Sequence, residues 1–291
     1  MTAGLAASIH ARLLNRAKAR GEDFNLILTR YALERFLYRL SLLPAREVYW
    51  LKGAMLFDLW FDVPHRPTRD ADFLGFGPMD AATLAATISE ICGVAADDGM
   101  TFDPESTRIE EIREDARYGG LRVRLLGMLG NARCSVQLDV GYGDAVTPGP
   151  EEAIYPTLLD DLPPPRLRVY PRAAVVAEKL EAIASLGMAN SRMKDYFDVR
   201  ALAREGALDA RQLGEAIAAT FRRRGTAVPA AVPLGLSDEF ARDAAKRAQW
   251  KAFLGKNQLD APALDEVIDE IRRFVAEPMA FAQQTAENSR S

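Results

Sequence analysis

The sequence predicts an α+β protein, a mixed sheet with flanking helices followed by a helical second half. Three observations predict it. Segments 47–53, 69–76 and 132–144 ("EVYWLKG", "RDADFLGF", "ARCSVQLDVGYGD") carry the aromatic, β-branched and alternating pattern of strands. Residues 147–167 ("TPGPEEAIYPTLLDDLPPPRL") are rich in proline and acid, the composition of an inter-domain crossing. Beyond them apolar residues recur at helical spacing, with stops at Gly187 and Gly206.

Residues 4–20 and about 25–45 read as amphipathic helices, the second with Leu26, Ile27, Tyr31, Leu33, Phe36, Leu37, Leu40 and Leu43 close to helical period. A strand over 47–53 ends at Gly53, and "AMLFDLWF" then reads as a helix. "PHRPT" holds two prolines and reads as a loop, followed by a strand through "RDADFLGF". "MDAATLAATISEICGVA" is a helix that Asp80 can cap. Strands follow over 108–114, 120–128 and 133–142. In the last, Cys134, Val136, Leu138 and Val140 share one face, and Ser135, Gln137, Asp139 and Gly141 share the other. Pro171 suits the first turn of a helix ending at Gly187, and "RMKDYFDVRALAREG" forms the next. Further helices fit 209–224, 237–253 and 262–276, and the tail "AEPMAFAQQTAENSRS" reads as frayed.

The bulk numbers exclude several classes. With 291 residues, 48% of them hydrophobic, the chain can bury a core, in one large domain or two ordinary ones. A net charge of −4 means that any nucleic-acid footprint must be local. Cys92 and Cys134 lie far apart without metal-ligand spacing, the pattern of reduced thiols in a cytosolic protein. The N-terminal stretch lacks a continuous apolar core, so no signal peptide is expected, and no apolar run reaches membrane-spanning length. The expected location is the cytoplasm.

The informative feature is a pair of acids inside a strand. Asp70 and Asp72 point the same way, with Ala71 and Phe73 on the opposite face. A solvated surface strand is the ordinary explanation of a lone Asp-x-Asp. Here, however, a glycine-broken strand and a helix precede the pair. A third carboxylate, Asp139, lies on a later strand between Leu138 and Val140. Three converging carboxylates repel one another and call for a cation, for which magnesium is the hard, oxygen-seeking choice and manganese the alternative.

"LKGAMLFDLW" and "RPTRDADFLGF" resemble the first motif of the DNA polymerase β-type nucleotidyltransferase superfamily, and "VQLDV" resembles its second. With "QLDVGYGD", "PRAAVVAEKLEAI" and "RMKDYFDV", the stretch from about Tyr49 to Leu202 is similar to the AbiEii/AbiGii toxin nucleotidyltransferases, which include mycobacterial toxins that add nucleotides to tRNA acceptor ends. The family usually has Gly-Gly or Gly-Ser where this chain has Gly53-Ala54, and the loop before Asp70 is slightly long. The resemblance implies a polymerase β-type core over 1–165 with N-terminal helices, and a helical domain over 166–291 contributing Lys179 and Asp195 to the cleft.

Lys179 has Val175, Val176, Ala182 and Ile183 as helical neighbours, so it either snorkels at the edge of an apolar stripe or is buried with an anionic partner. The resemblance implies a triphosphate contact, a task suited to a compact ammonium. Arg192 can pair with Asp195, and Lys194 with Asp198, as on a solvated helix. The resemblance instead implies that Asp195 belongs to the active site, with Asp198, on the same helix face, as the second candidate. Lys52 and Arg66 border the first motif within reach of phosphates, Gly53 and Ala54 offer backbone N–H groups to the triphosphate, and Thr68 shares the face of Asp70. Asp58 reads as an ordinary helix residue, His10 and His65 carry no assignment, and the aromatics at 57–61 read as core. Arg222, Arg223, Arg224, Lys246, Arg247 and Lys251 form either solvated helix faces or a track for RNA phosphates.

The expected activity is metal-dependent transfer of a nucleotide from an NTP to an RNA. The resemblance implies that the acceptor is the 3′ end of tRNA, that translation is blocked, and that the chain is a toxin with a cognate antitoxin. A small-molecule (aminoglycoside-like) nucleotidyltransferase and a non-catalytic nucleotide- or RNA-binding module are the rival readings.

Overall fold

The structure is a computed structural model that describes residues 3–61, 65–115, 118–144, 146–206 and 208–288. Pro64, in the expected proline loop, and the last three residues of the tail lie outside the described residues. The chain divides into two compact units, Met1–Gly143 with Glu151–Val169, and Asp144–Pro150 with Tyr170–Ser291.

The first unit opens with helices α1 (Ala3–Arg20) and α2 (Phe24–Ser41). Strand β1 (Tyr49–Lys52) runs into a single 3-10 turn (Gly53–Leu56) and the four-residue helix α3 (Phe57–Trp60). Strand β2 (Asp70–Gly75) follows, then α4 (Ala81–Gly93), whose N-cap Asp80 accepts from the N–H groups of Ala82 and Thr83. Strands β3 (Met100–Asp115), β4 (Tyr118–Leu129) and β5 (Ala132–Tyr142) form an antiparallel meander. Two short strands, β6 (Glu151–Ile154) and β7 (Arg166–Val169), complete a seven-stranded mixed sheet of order β3-β4-β5-β2-β1-β7-β6.

The segment 147–167, read as an inter-domain crossing, also carries the first of these last two strands and the start of the second. Each is four residues long among prolines and acids, too short to show a period, yet β7 pairs parallel to β1 through Leu51 and Val169. The sheet has one dry face. Phe73, Val136, Leu138 and Val140 are buried on it beneath Phe36 and Leu40 of α2 and Leu84 and Ile88 of α4. The side chains that alternate with these point to the other face.

The second unit is helical: α5 (Arg172–Leu186), α6 (Met193–Glu205), α7 (Ala210–Arg224), α8 (Asp238–Arg242), α9 (Ala244–Asn257) and α10 (Leu264–Asn288). Its core gathers Val176, Leu180, Ile183, Tyr196, Val199, Ile217, Phe221 and Ile268. Pro171 is the N-cap of α5 and does not sit in its first turn. The single helix expected over 237–253 is two, because Asp243 leaves the helical conformation to cap α9 by accepting from the N–H of Lys246. The tail is not frayed through its described length. α10 continues through Pro278, and Met279 and Ala282 are buried. A Cβ on Gly214 of α7 would collide with the Pro278 carbonyl and Phe281, so the glycine permits that close approach.

Candidate functional site

The polar face of the first unit is set by register. Lys52 of β1 lies opposite Asp72 of β2, Asp72 beside Asp139 of β5, and Asp139 opposite Arg122 of β4. Residues opposite one another share a face. Across four neighbouring strands the row therefore reads cation, carboxylate, carboxylate, cation. Asp70 adds a third carboxylate in the next row, beside Gln137. One carboxylate oxygen from each of Asp70, Asp72 and Asp139 lies within 4.8 Å of the other two, and among the described residues no other such acidic group occurs.

Each carboxylate is held. The Thr68 hydroxyl donates to Asp70 Oδ1 at 2.7 Å, although Thr68 lies just before the strand. The Arg122 guanidinium makes a fork to Asp139, Nε to Oδ1 at 2.8 Å and Nη2 to Oδ2 at 2.6 Å. That hydrogen bond, with the charge beside it, raises the Arg122 pKa above its ordinary value. Gly53 fits against Asp72. Its φ is +74°, the left-handed region, and a Cβ there would overlap the Asp72 carboxylate, 2.7 Å from Cγ. Lys52 and Asp139 are buried and Asp70 and Asp72 half-buried. Arg66 lies half-buried in the loop before β2, and Ala54 in the turn after Gly53.

Arg122 is the residue that sequence reasoning missed. Its signal was the hairpin tip "LGNA". A two-residue Gly-Asn turn pairs Leu129 with Ala132. Seven residues back and seven forward then bring Arg122 opposite Asp139.

In the second unit, Lys179 of α5 places Nζ 2.7 Å from Asp195 Oδ1 and 2.8 Å from Asp198 Oδ2, both on α6. Arg192 Nε stands 2.7 Å from the other Asp195 oxygen. Both aspartates are wholly buried, and Lys179 nearly so. Burial opposes ionisation of Asp195, but Lys179 and Arg192 together hold its carboxyl below the ordinary value. Of the two expected placements of Lys179, this is the one with an anionic partner. Asp198 pairs with Lys179 where Lys194 was expected.

The late basic residues differ in exposure. Arg222, Arg223, Arg247 and Lys251 are exposed. Arg224 instead bonds Glu181 at 3.0 Å and pairs with Asp144 and Glu178 at 3.5 and 3.6 Å. Lys246 is buried and donates to the Asn190 carbonyl at 2.9 Å. Asp58 is a brace, accepting from Arg30 at 3.1 Å and the Tyr155 hydroxyl at 2.9 Å. Among the described residues, no helix is long and apolar enough to cross a membrane.

A model of the nucleotidyl transferase AbiEii toxin family, of type IV toxin–antitoxin systems, matches residues 35–272. No curated protein sequence matches the chain. Two solved structures from Helicobacter pylori resemble it at 14% identity: JHP933, covering 91% of this chain and 94% of its own with a TM-score of 0.49, and a candidate nucleotidyltransferase, covering 90% and 96% with a TM-score of 0.46. At that identity the likeness says nothing about activity. The family match spans well over half of the sequence, and the chain belongs to the AbiEii family of nucleotidyltransferase toxins.

Proposed function

We propose that this nucleotidyltransferase moves a nucleoside monophosphate from an NTP to an RNA, the 3′ end of a tRNA, and so blocks translation until a cognate antitoxin restrains it. The observation that carries the reading is the convergence of Asp70, Asp72 and Asp139 on one sheet face within a chain of this family.

Three carboxylates suit a divalent cation by donor type. Oxygens bound to one magnesium lie roughly 3–4 Å apart. A spacing within 4.8 Å is thus closed by side-chain adjustment alone. Asp70, Asp72 and Asp139 would hold the ion, magnesium or manganese. Bound there, it would supply the positive charge that offsets the triphosphate and polarises the phosphorus under attack.

The chain's own groups do the rest by position. Thr68 fixes the rotamer of Asp70, Arg122 fixes Asp139, and Gly53 lets the backbone close on Asp72. The acceptor hydroxyl oxygen forms the new bond to the α-phosphorus, and its proton passes to the Asp139 carboxylate. The bond from that phosphorus to the bridging oxygen breaks, and pyrophosphate leaves with the electron pair. Lys52, in register with Asp72, would offset leaving-group charge. A 3-10 turn and a four-residue helix carry little macrodipole, so individual N–H groups at Gly53 and Ala54 would hold phosphate.

Arg122 competes with a metal for Asp139. Arg122→Gln is expected to lower metal-free stability by about 1–3 kcal/mol, towards the low end because the guanidinium is partly exposed. The rise in melting temperature on adding magnesium should become larger than in wild type. Melting in EDTA and over a magnesium series checks both. An unchanged magnesium response would mean that Asp139 takes no part in metal binding.

Arg224 and Lys246 are engaged inside the helical unit, which favours keeping the small-molecule acceptor as a second reading. Incubation with each labelled NTP, magnesium and total RNA, resolved on a gel, separates the two. Label in a tRNA band supports the reading, and label only in small products supports the alternative.

A further inference from the structure

The first unit contains a pocket that none of the triad residues lines. It measures about 390 Å³, within the size range of small-molecule sites. Arg16 and Arg20 of α1 and Arg30 of α2 line it, with Trp60 and Phe61 from the end of the α3 segment. Arg16 and Arg20 are one helical turn apart, where like charges repel.

The arginines are only partly compensated. Arg16 donates to the Leu158 carbonyl at 3.1 Å, and its Nε is buried without a hydrogen-bond partner. Burial, and then the charges of Arg20 and Arg30, lower the Arg16 pKa from its ordinary value. Among the described residues Arg20 reaches Glu22, at 3.9 Å. Arg30 pairs with Asp58 at 3.1 Å and Glu22 at 3.8 Å. Glu34 also lines the pocket, but Arg35 engages one of its carboxylate oxygens at 2.6 Å and the Leu158 N–H donates to the other at 2.6 Å. Three guanidiniums beside two half-buried rings are the chemistry of a phosphate joined to a base.

We propose that this pocket binds one nucleotide unit through its phosphate, with the base against Trp60 and Phe61. The source is either a free mononucleotide or one residue of an RNA strand. The strand source rests on the reading that the acceptor is RNA.

The test measures binding without metal or NTP, so that no catalytic step enters. Polarisation of a 5′-labelled 12-nucleotide single-stranded RNA is followed over a salt series, and AMP binding is titrated in parallel. The variants are Arg16→Gln with Arg20→Gln, and Arg20→Gln alone, an exposed side chain whose loss leaves the Leu158 contact intact. The double variant should bind RNA at least about tenfold more weakly at low salt, with a salt slope smaller by roughly 1–2. Arg20→Gln should lie between it and wild type. Loss of both RNA and AMP binding supports an RNA strand, and loss of AMP binding alone supports a free nucleotide. Variants that bind both ligands as wild type does overturn the pocket while leaving the RNA reading intact. A wild-type protein that binds neither also overturns the pocket, and the labelling of tRNA then decides the acceptor separately.

Discussion

Lys179→Ala is expected to destabilise the helical unit by about 3–5 kcal/mol, the cost of removing one partner from a buried ion pair. Without Lys179 each of the two wholly buried aspartates would lose a cation within 2.8 Å, and Arg192 would remain 2.7 Å from Asp195. The loss is large against a typical total stability of about 5–15 kcal/mol. Neutralising the aspartates as well, as Lys179→Met with Asp195→Asn and Asp198→Asn, should recover much of it. Thermal melting of the single and triple variants checks this. A single variant that melts as wild type does would show that the aspartates are solvated or protonated. The triple variant, if stable, then reports through its NTP affinity whether Lys179 also serves the triphosphate. The pH dependence has a definite sign. The Asp195 pKa is held below its ordinary value of 3.8 in the fold. Its contribution is therefore complete above about 3.8 and is lost as the pH falls through the lowered value.

Gly53→Ala is expected to damage the sheet face. A non-glycine residue held in the left-handed region costs about 1–2 kcal/mol. The added Cβ would also overlap the Asp72 carboxylate, so either Asp72 turns away or β1 and β2 separate. An error of about 1 Å in a reacting group can cost about 10²-fold in rate. The expected outcome is a folded protein with a lower melting temperature and a transfer rate at least that much reduced. A variant with the wild-type rate would mean that the Gly53–Asp72 approach is irrelevant to the chemistry. Ala54, one residue on, is already an alanine and shows that only the first position of the motif carries this constraint.

How far the sequence reveals this arrangement depends on the length of each pattern. β5 alternates over eleven residues, which was enough to put Asp139 on the polar face and Leu138 and Val140 in the core. The Asp-x-Asp pair needs only the period of a strand. β6 and β7 have four residues each, so no period develops, and their pairing is fixed by neighbours distant in sequence. Arg122 reads alone as a polar residue on an exposed strand face. It gains meaning only through register, which a two-residue hairpin sets and composition does not. Arg224 and Lys246 looked like members of a basic face because helical periodicity cannot reveal the carboxylates and carbonyl that engage them from other elements. The extension of α10 was hidden by Pro278, ordinarily a helix breaker.

The account rests on Asp70, Asp72 and Asp139 acting together on a metal. The most direct test is Asp72→Asn, nearly isosteric and one charge short. Its melting temperature is measured with and without magnesium beside transfer of label from NTP. The account predicts a folded variant with no detectable transfer, whose melting temperature no longer rises with magnesium. Transfer at the wild-type rate, or a magnesium-induced rise as large as that of wild type, would contradict it.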